Sequence, residues 1–150
     1  MVDILLEEFI DFEILGIISN LNNTYQFVYH LNTTYGTNFA RDNDLDIIIQ
    51  EEIVYYPNFC WEDIDNQVEY NLIKNMPFQS LKTQKLSMYE MFDVSPLLIP
   101  QYKNYNFILK ISGWEFGIEH LNLPFGLDAV IQSITPFNVE QIKTVERLIF

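Results

Sequence analysis

Residues 10–18 read IDFEILGII, and this pattern predicts the first strand of a β-sheet. Up to Ile14 the apolar residues alternate with acidic ones, which is the two-residue period of a strand with one face in water. From Leu15 to Ile18 the chain is apolar on both faces. We therefore expect a strand that is half exposed at its start and buried at its end.

The next segment predicts an amphipathic helix. Asn22 or Asn23 can serve as the N-cap, and Gly36 supplies a stop because glycine readily adopts the left-handed conformation. Between these limits a candidate buried stripe recurs at helical spacing, formed by Thr24, Phe27, Val28, Leu31 and Tyr35. We expect this helix to cover one face of the sheet.

The middle of the chain predicts two or three antiparallel strands. Residues 45–49 are β-branched and follow an acidic loop, and residues 53–59 and 67–73 flank a turn-like segment at 61–66. Pro57 indicates an edge or a bulge, because proline cannot donate a backbone hydrogen bond. Residues 74–98 contain short apolar runs broken by prolines and give no clear assignment.

The last third predicts a strand, a helix and another strand. Residues 107–113 are largely apolar on both faces and end at Gly113, which is typical of a central strand. Asn122 and Pro124 favour a helix start and Pro136 its end, with a stripe of Leu127, Val130, Ile131 and Ile134. Residues 142–150 alternate in a way that favours a strand over a second helix.

These elements predict one α+β domain that spans residues 1–150. Its core would be a mainly antiparallel, twisted sheet of about five to seven strands with two helices packed on one face. A chain of 150 residues, of which 49% are hydrophobic, can bury a sizeable core. That composition excludes intrinsic disorder, and the length excludes a multidomain enzyme.

Acidic residues are concentrated in the first half of the chain. The formal net charge is −13, and residues 1–73 carry fourteen acidic residues and one basic residue, Arg41. Such a surface repels phosphate backbones, so nonspecific nucleic-acid binding is disfavoured and a basic protein is the more suitable partner. Solubility alone explains the same acidity, because charge keeps a chain rich in Phe and Tyr dispersed.

Cysteine content and hydropathy predict a cytoplasmic protein without a cofactor. Cys60 is the one cysteine, so internal disulfides and multi-cysteine metal sites are excluded. The first residues are acidic where a signal peptide needs bases. No run of about 18 apolar residues is present, so we expect no membrane span.

No pattern in the chain predicts catalysis or a metal site. Residues 42–46, DNDLD, resemble the start of a calcium loop, but Ile47 stands where that loop requires glycine and Ile53 where it requires glutamate. Cys60 lacks the surroundings of an activated nucleophile, and neither His30 nor His120 has a spacing typical of its base. A small-molecule site or an enzyme with a pocket near Cys60 or the histidines remains an alternative, because a sequence does not show clefts.

An aromatic and acidic cluster is the best candidate for binding a partner. Large aromatic residues anchor interfaces, and an acidic rim suits a basic protein. The candidate contact residues are Tyr55, Trp61, Glu62, Asp63, Asp65, Asp42 and Asp44. Packing of the aromatic residues in the core beside an acidic turn explains the pattern as simply.

Residues 99–107 read IPQYKNYNF and resemble the signature of the IPExxxVDY family, small proteins of Bacteroidota-type bacteria. Ile99 and Pro100 match the named letters, whereas Gln101, Tyr105, Asn106 and Phe107 replace Glu, Val, Asp and Tyr. A looser similarity extends over most of the chain, at residues 15–17, 31–32, 39, 41, 44–45 and 148–150. The resemblance implies a bacterial, cytoplasmic protein and no particular activity.

Both carboxylates of the signature are amides in this chain, which removes general acid–base chemistry from the motif. We therefore interpret it as structural. Pro100 would shape the entry to a turn, and Gln101 and Asn106 would satisfy backbone groups around it. Tyr105 and Phe107 would enter the core.

The sequence thus predicts a noncatalytic cytoplasmic adaptor that binds another protein through its acidic N-terminal half or an exposed sheet edge. Self-association as a homodimer through such an edge is a second option. A third is an immunity-like acidic inhibitor of a basic nuclease, which would bind tightly and with a strong salt dependence.

Overall fold

A computed structural model describes residues 11–49, 51–77, 97–113 and 123–150 of the chain. The strands and the helix are β1 (Phe12–Ser19), α1 (Thr24–Tyr35), β2 (Ala40–Arg41), β3 (Leu45–Ile49), β4 (Glu52–Tyr56), β5 (Asn58–Asp63), β6 (Val68–Lys74), β7 (Phe107–Gly113) and β8 (Ile131–Phe137). Within those residues, 3-10 helices lie at Pro100–Tyr102, Val139–Gln141 and Val145–Leu148. The predicted α+β class is confirmed.

Six strands form one antiparallel sheet in the order β2–β5–β6–β7–β1–β8, and β3 and β4 form a separate hairpin. The prediction that residues 107–113 form a central strand is confirmed, because β7 lies between β6 and β1. This strand is buried on both faces: even Lys110 is 4% exposed, and its Nζ lies 3.3 Å from the carbonyl oxygen of Phe150. Pro57 lies between β4 and β5, where the chain leaves the hairpin and enters the large sheet.

Helix α1 forms where the sequence predicts it. The Asn23 side chain accepts a hydrogen bond from the Gln26 N–H, and Gly36 adopts φ +73° at the other end. The helix packs on one face of the sheet, where Phe27 stacks on Phe107 with ring centroids 4.3 Å apart. The buried residues of this layer are Leu15, Ile17, Phe27, Val28, Leu31, Phe39, Phe59, Val68, Tyr70, Leu72, Phe107, Leu109, Ile111, Phe125 and Ile131.

The opposite face of the sheet is covered by the β3–β4 hairpin and by the C-terminal 3-10 helices. Side chains alternate along a strand, so a second apolar set on β1, β6 and β7 faces this layer. The buried residues here are Phe12, Ile14, Leu45, Ile49, Val54, Tyr56, Ile73, Leu98, Ile99, Ile108, Phe137, Val139, Ile142, Val145 and Leu148. The sheet is therefore the middle of three layers.

The predicted second helix, with its stripe of Leu127, Val130, Ile131 and Ile134, is wrong: residues 131–137 form the edge strand β8. β-branched residues favour a strand, and Ile17 pairs with Ile134 across β1 and β8. Pro136, expected to end the helix, lies in this strand, which an edge position permits. Asn122, the expected cap, lies outside the described residues.

Two further predictions are corrected. Residues 142–150 are not a strand, because 3-10 helices place Ile142, Val145 and Leu148 three residues apart in the core. The turn expected at 61–66 begins later, since β5 continues to Asp63 and pairs with Val68. Most of the unassigned segment 74–98 lies outside the described residues, which contain one α-helix rather than two.

Candidate functional site

The β3–β4 hairpin presents an apolar outward face. Ile48 is directly opposite Ile53, and Asp46 is opposite Tyr55, so these four side chains share one side of the hairpin. Ile48 is 73% exposed, Ile53 52% and Tyr55 46%. The other side of the same hairpin carries Val54 into the core. Three large apolar side chains therefore lie together in water.

Two exposed acidic residues belong to the hairpin itself: Asp46 lies on the outward face, and Glu51 is at the tip. Asp42 is exposed in the loop that leads into β3, where its N–H donates to the carbonyl of Asn58 in β5. Asp44 lies in the same loop and forms an ion pair with Arg41. Of the predicted contact residues, only Tyr55 lies on this face, because Asp42 and Asp44 lie in the loop before β3 and contact β5 and β2.

Trp61 does not lie on that face. Its ring stacks on Tyr70 with centroids 5.1 Å apart and meets Phe39 edge to face, so it packs in the layer under α1. The predicted pairing of Tyr55 with Trp61 on one surface is therefore wrong, because Tyr55 lies on the hairpin and Trp61 on the large sheet. The alternative interpretation, in which the aromatic residues pack in the core, therefore holds for Trp61.

The remaining acidic candidates lie around the β5–β6 turn. Glu62 and Asp65 are exposed, whereas Asp63 accepts hydrogen bonds from the N–H and the side-chain amide of Asn66. Glu62 lies directly opposite Glu69. Asp63 therefore shapes the turn, and the acidic groups here are separate from those of the hairpin.

Cys60 and His30 lie on opposite faces of the sheet and do not form a catalytic pair. Phe59 and Trp61 face α1, so Cys60 between them faces away from the helix that carries His30. Burial, followed by the charges of Glu69 and Asp42, raises the pKa of the Cys60 thiol to about 11. The thiol is therefore protonated near neutral pH, which is opposite to what a nucleophile needs.

His30 is held by a hydrogen bond that joins α1 to the loop before β8. Its Nε2 lies 2.7 Å from Asp128 Oδ2, the same oxygen that accepts a 2.6 Å hydrogen bond from the Tyr35 hydroxyl. Partial burial opposes ionisation of Asp128, but bonds from Tyr35, the Ile131 N–H and His30 outweigh it and hold the pKa of Asp128 well below its usual value. The hydrogen bond to Asp128 also raises the pKa of Tyr35. His120 lies outside the described residues.

The two amides of the 99–107 motif bind backbone and side-chain groups of neighbouring segments. Gln101 donates to the carbonyl of Gln141 (3.0 Å) and accepts from the Lys143 N–H (3.2 Å). Asn106 accepts from the Ser19 N–H (2.9 Å) and donates to the side chain of Asn22. Pro100 begins a 3-10 turn. The motif thus connects the C-terminal segment and the end of β1.

The two aromatic residues at the end of the motif lie on opposite faces of the sheet: Phe107 packs on Phe27 under α1, and Tyr105 packs over Gly16 of β1. Phe107 is fully buried, and Tyr105 meets the ring of Phe137 edge to face at 4.9 Å. A methyl group on Gly16 would overlap the rings of Phe137 and Tyr105, so only glycine fits under them without displacement. Ile99 is fully buried beside them.

The buried side chain that organises this motif is Asn75, which sequence reasoning missed. It is 1% exposed, donates to the carbonyls of Tyr102 (3.1 Å) and Tyr105 (3.2 Å), and accepts from the Ile99 N–H (2.8 Å). Ile48 and Ile53 were also missed as surface residues. The alternation of the strand assigns residues to its two sides, but it does not show which side faces the core. That choice depends on contacts with distant segments.

No group of three or more potential metal ligands occurs among His, Cys, Asp and Glu of the described residues. No helix in the described part of the chain has the length and hydropathy to span a membrane. No protein-family model, curated protein or solved structure matches the chain.

Proposed function

We propose that this protein is a noncatalytic, cytoplasmic protein-binding module whose contact surface is the outward face of the β3–β4 hairpin. The observation that carries the proposal is the exposure of Ile48, Ile53 and Tyr55 side by side. Contiguous apolar groups in water are costly, and on folded proteins they commonly mark interaction sites.

The acidic residues at the rim indicate the surface charge of the partner. An interface gains affinity from a few central apolar or aromatic anchors, while charges at the rim govern association rate and selectivity. Tyr55 and the two isoleucines supply the anchors, and Asp46 and Glu51 supply the rim. A complementary partner therefore carries an apolar groove bordered by Lys and Arg.

The test is affinity capture of the tagged protein at low and high salt, with the partner identified and its stoichiometry measured. The variant Ile48→Ser/Ile53→Ser removes two anchors on the exposed side only. The matched control is Ile64→Ser, since Ile64 is 77% exposed but lies in the β5–β6 turn. Circular dichroism checks that all three proteins are folded.

We expect wild type and Ile64→Ser to retain the same basic protein, and the hairpin variant to lose more than about 90% of it, a tenfold change in affinity. Raising salt from about 50 mM to about 500 mM should weaken retention, because the rim charges are screened. Equal retention by both variants would contradict the proposal. If the retained protein is a basic nuclease, the result would favour an immunity-like inhibitor over an adaptor.

A further inference from the structure

A cleft of about 260 Å³ lies where the start of α1 meets the ends of β2 and β6. Its walls contain two of the few basic side chains of the molecule, Arg41 and Lys74. Of the described residues, the lining also includes Asn22, Asn23, Thr24 and Tyr25, together with Pro57, Met76 and Pro77. A basic cleft is unexpected in a chain with a net charge of −13.

Lys74 is the main reason to assign a ligand to this cleft. Its side chain is half-buried, yet no carboxylate of the described residues lies within ion-pair distance of it. Burial lowers the pKa of Lys74. A desolvated cation is costly when unpaired, so an anion bound beside it would recover that free energy.

Arg41 supplies a second, oriented cation. Its guanidinium lies over the rings of Tyr25 (5.8 Å) and Phe59 (5.5 Å) and pairs with Asp44 through Nη2. A guanidinium has five N–H donors, so this single ion pair leaves donors for another oxyanion. Contact with these two rings stabilises the guanidinium at the wall of the cleft.

We propose that this cleft binds a small phosphate-bearing molecule, with its phosphate between Arg41 and Lys74. Two cations suit the double negative charge of a phosphate, and the positive end of the α1 dipole adds to the field. The cavity is smaller than the roughly 300–1,000 Å³ of typical ligand pockets, which favours a compact ligand. The surrounding negative charge disfavours an extended polyanion or an anionic membrane.

The test is an NMR titration of the full chain with inorganic phosphate at constant pH and ionic strength, with acetate as the second probe. The variant is Lys74→Gln, which removes the charge without breaking a described ion pair. The matched control is Lys143→Gln, since Lys143 is exposed in the C-terminal segment and carries the same charge. Arg41→Lys keeps the positive charge but removes the guanidinium, and so tests whether that group itself contributes to phosphate binding.

We expect saturable phosphate binding with a Kd on the order of 1 mM and amide shifts confined to residues 22–25, 41 and 74–76. Lys74→Gln should raise this Kd about tenfold or more, Lys143→Gln should leave it within about twofold, and acetate should bind more weakly than phosphate. Absence of saturation, equal weakening by both Gln variants, or acetate binding as tightly as phosphate would overturn the proposal. None of these outcomes depends on the hairpin surface.

Discussion

The Cys60 thiol shows how position in a sheet controls reactivity. A pKa near 11 leaves a minute fraction of thiolate at pH 8, so iodoacetamide should alkylate folded protein more than about 100-fold more slowly than a small free thiol. The rate should rise with pH up to about 11. Mass spectrometry follows the reaction, and unfolding in urea, which removes the burial, should restore the ordinary rate. Fast alkylation of the folded chain at pH 8 would contradict the structure.

Asp128 is the residue whose charge the fold stabilises most clearly. Asp128→Asn keeps the shape but weakens the bonds from Tyr35 and His30, and it should lower the free energy of unfolding at pH 7 by about 1 kcal/mol after solvent screening. Urea denaturation measures this change. Asp65→Asn, at an exposed turn position, serves as the control and should change stability by less than about 0.5 kcal/mol.

The effect of Asp128 should also depend on pH. Its pKa is lowered in the folded state, so its charge stabilises the fold above the unfolded-state pKa of about 4 and this contribution is lost as pH falls toward the folded pKa. The difference in unfolding free energy between wild type and Asp128→Asn should therefore shrink below about pH 4. A difference that persists unchanged at about pH 2.5 would contradict this explanation.

At the scale of elements, Asn75 ties the end of β6 to the turn at 99–106. Asn75→Ala would leave the carbonyls of Tyr102 and Tyr105 and the N–H of Ile99 without this partner inside the protein. We expect a loss of about 2–4 kcal/mol, measured by urea denaturation. Asn104→Ala, at an exposed position of the same turn, is the control and should be nearly neutral. Equal effects of the two substitutions would show that Asn75 is not the organising residue.

The sequence predicted elements well where one local signal was complete. The sequence of helix α1 contains an N-cap residue, a stripe of buried residues and a glycine stop, and each has that role in the structure. The C-terminal segment carried a signal that was overlooked, since Val139, Ile142, Val145 and Leu148 recur every three residues and are all buried. That spacing is the period of a 3-10 helix, whereas alternation over a few residues also fits a strand.

For the whole molecule, the net charge of −13 should oppose folding through self-repulsion. In the described residues, the one ion pair between a Lys or Arg side chain and a carboxylate is Arg41 with Asp44, so attraction between opposite charges offsets little of this repulsion. Raising NaCl from about 20 mM to about 300 mM should therefore raise Tm by several degrees, as measured by circular dichroism. A Tm that is unchanged or falls would show that the acidic groups are too far apart to repel one another.

The sequence by itself determined β1, α1 and β7, the concentration of acidic residues in the first half, and the α+β class. These depend on the local period, on caps and on composition, which neighbouring residues specify. Tertiary structure alone decided that residues 131–137 pair with β1 as a strand, that Trp61 is packed while Tyr55 is exposed, and that Arg41 and Lys74 share a cleft. Each of these outcomes depends on which distant segments cover which faces, and local sequence patterns do not encode that information.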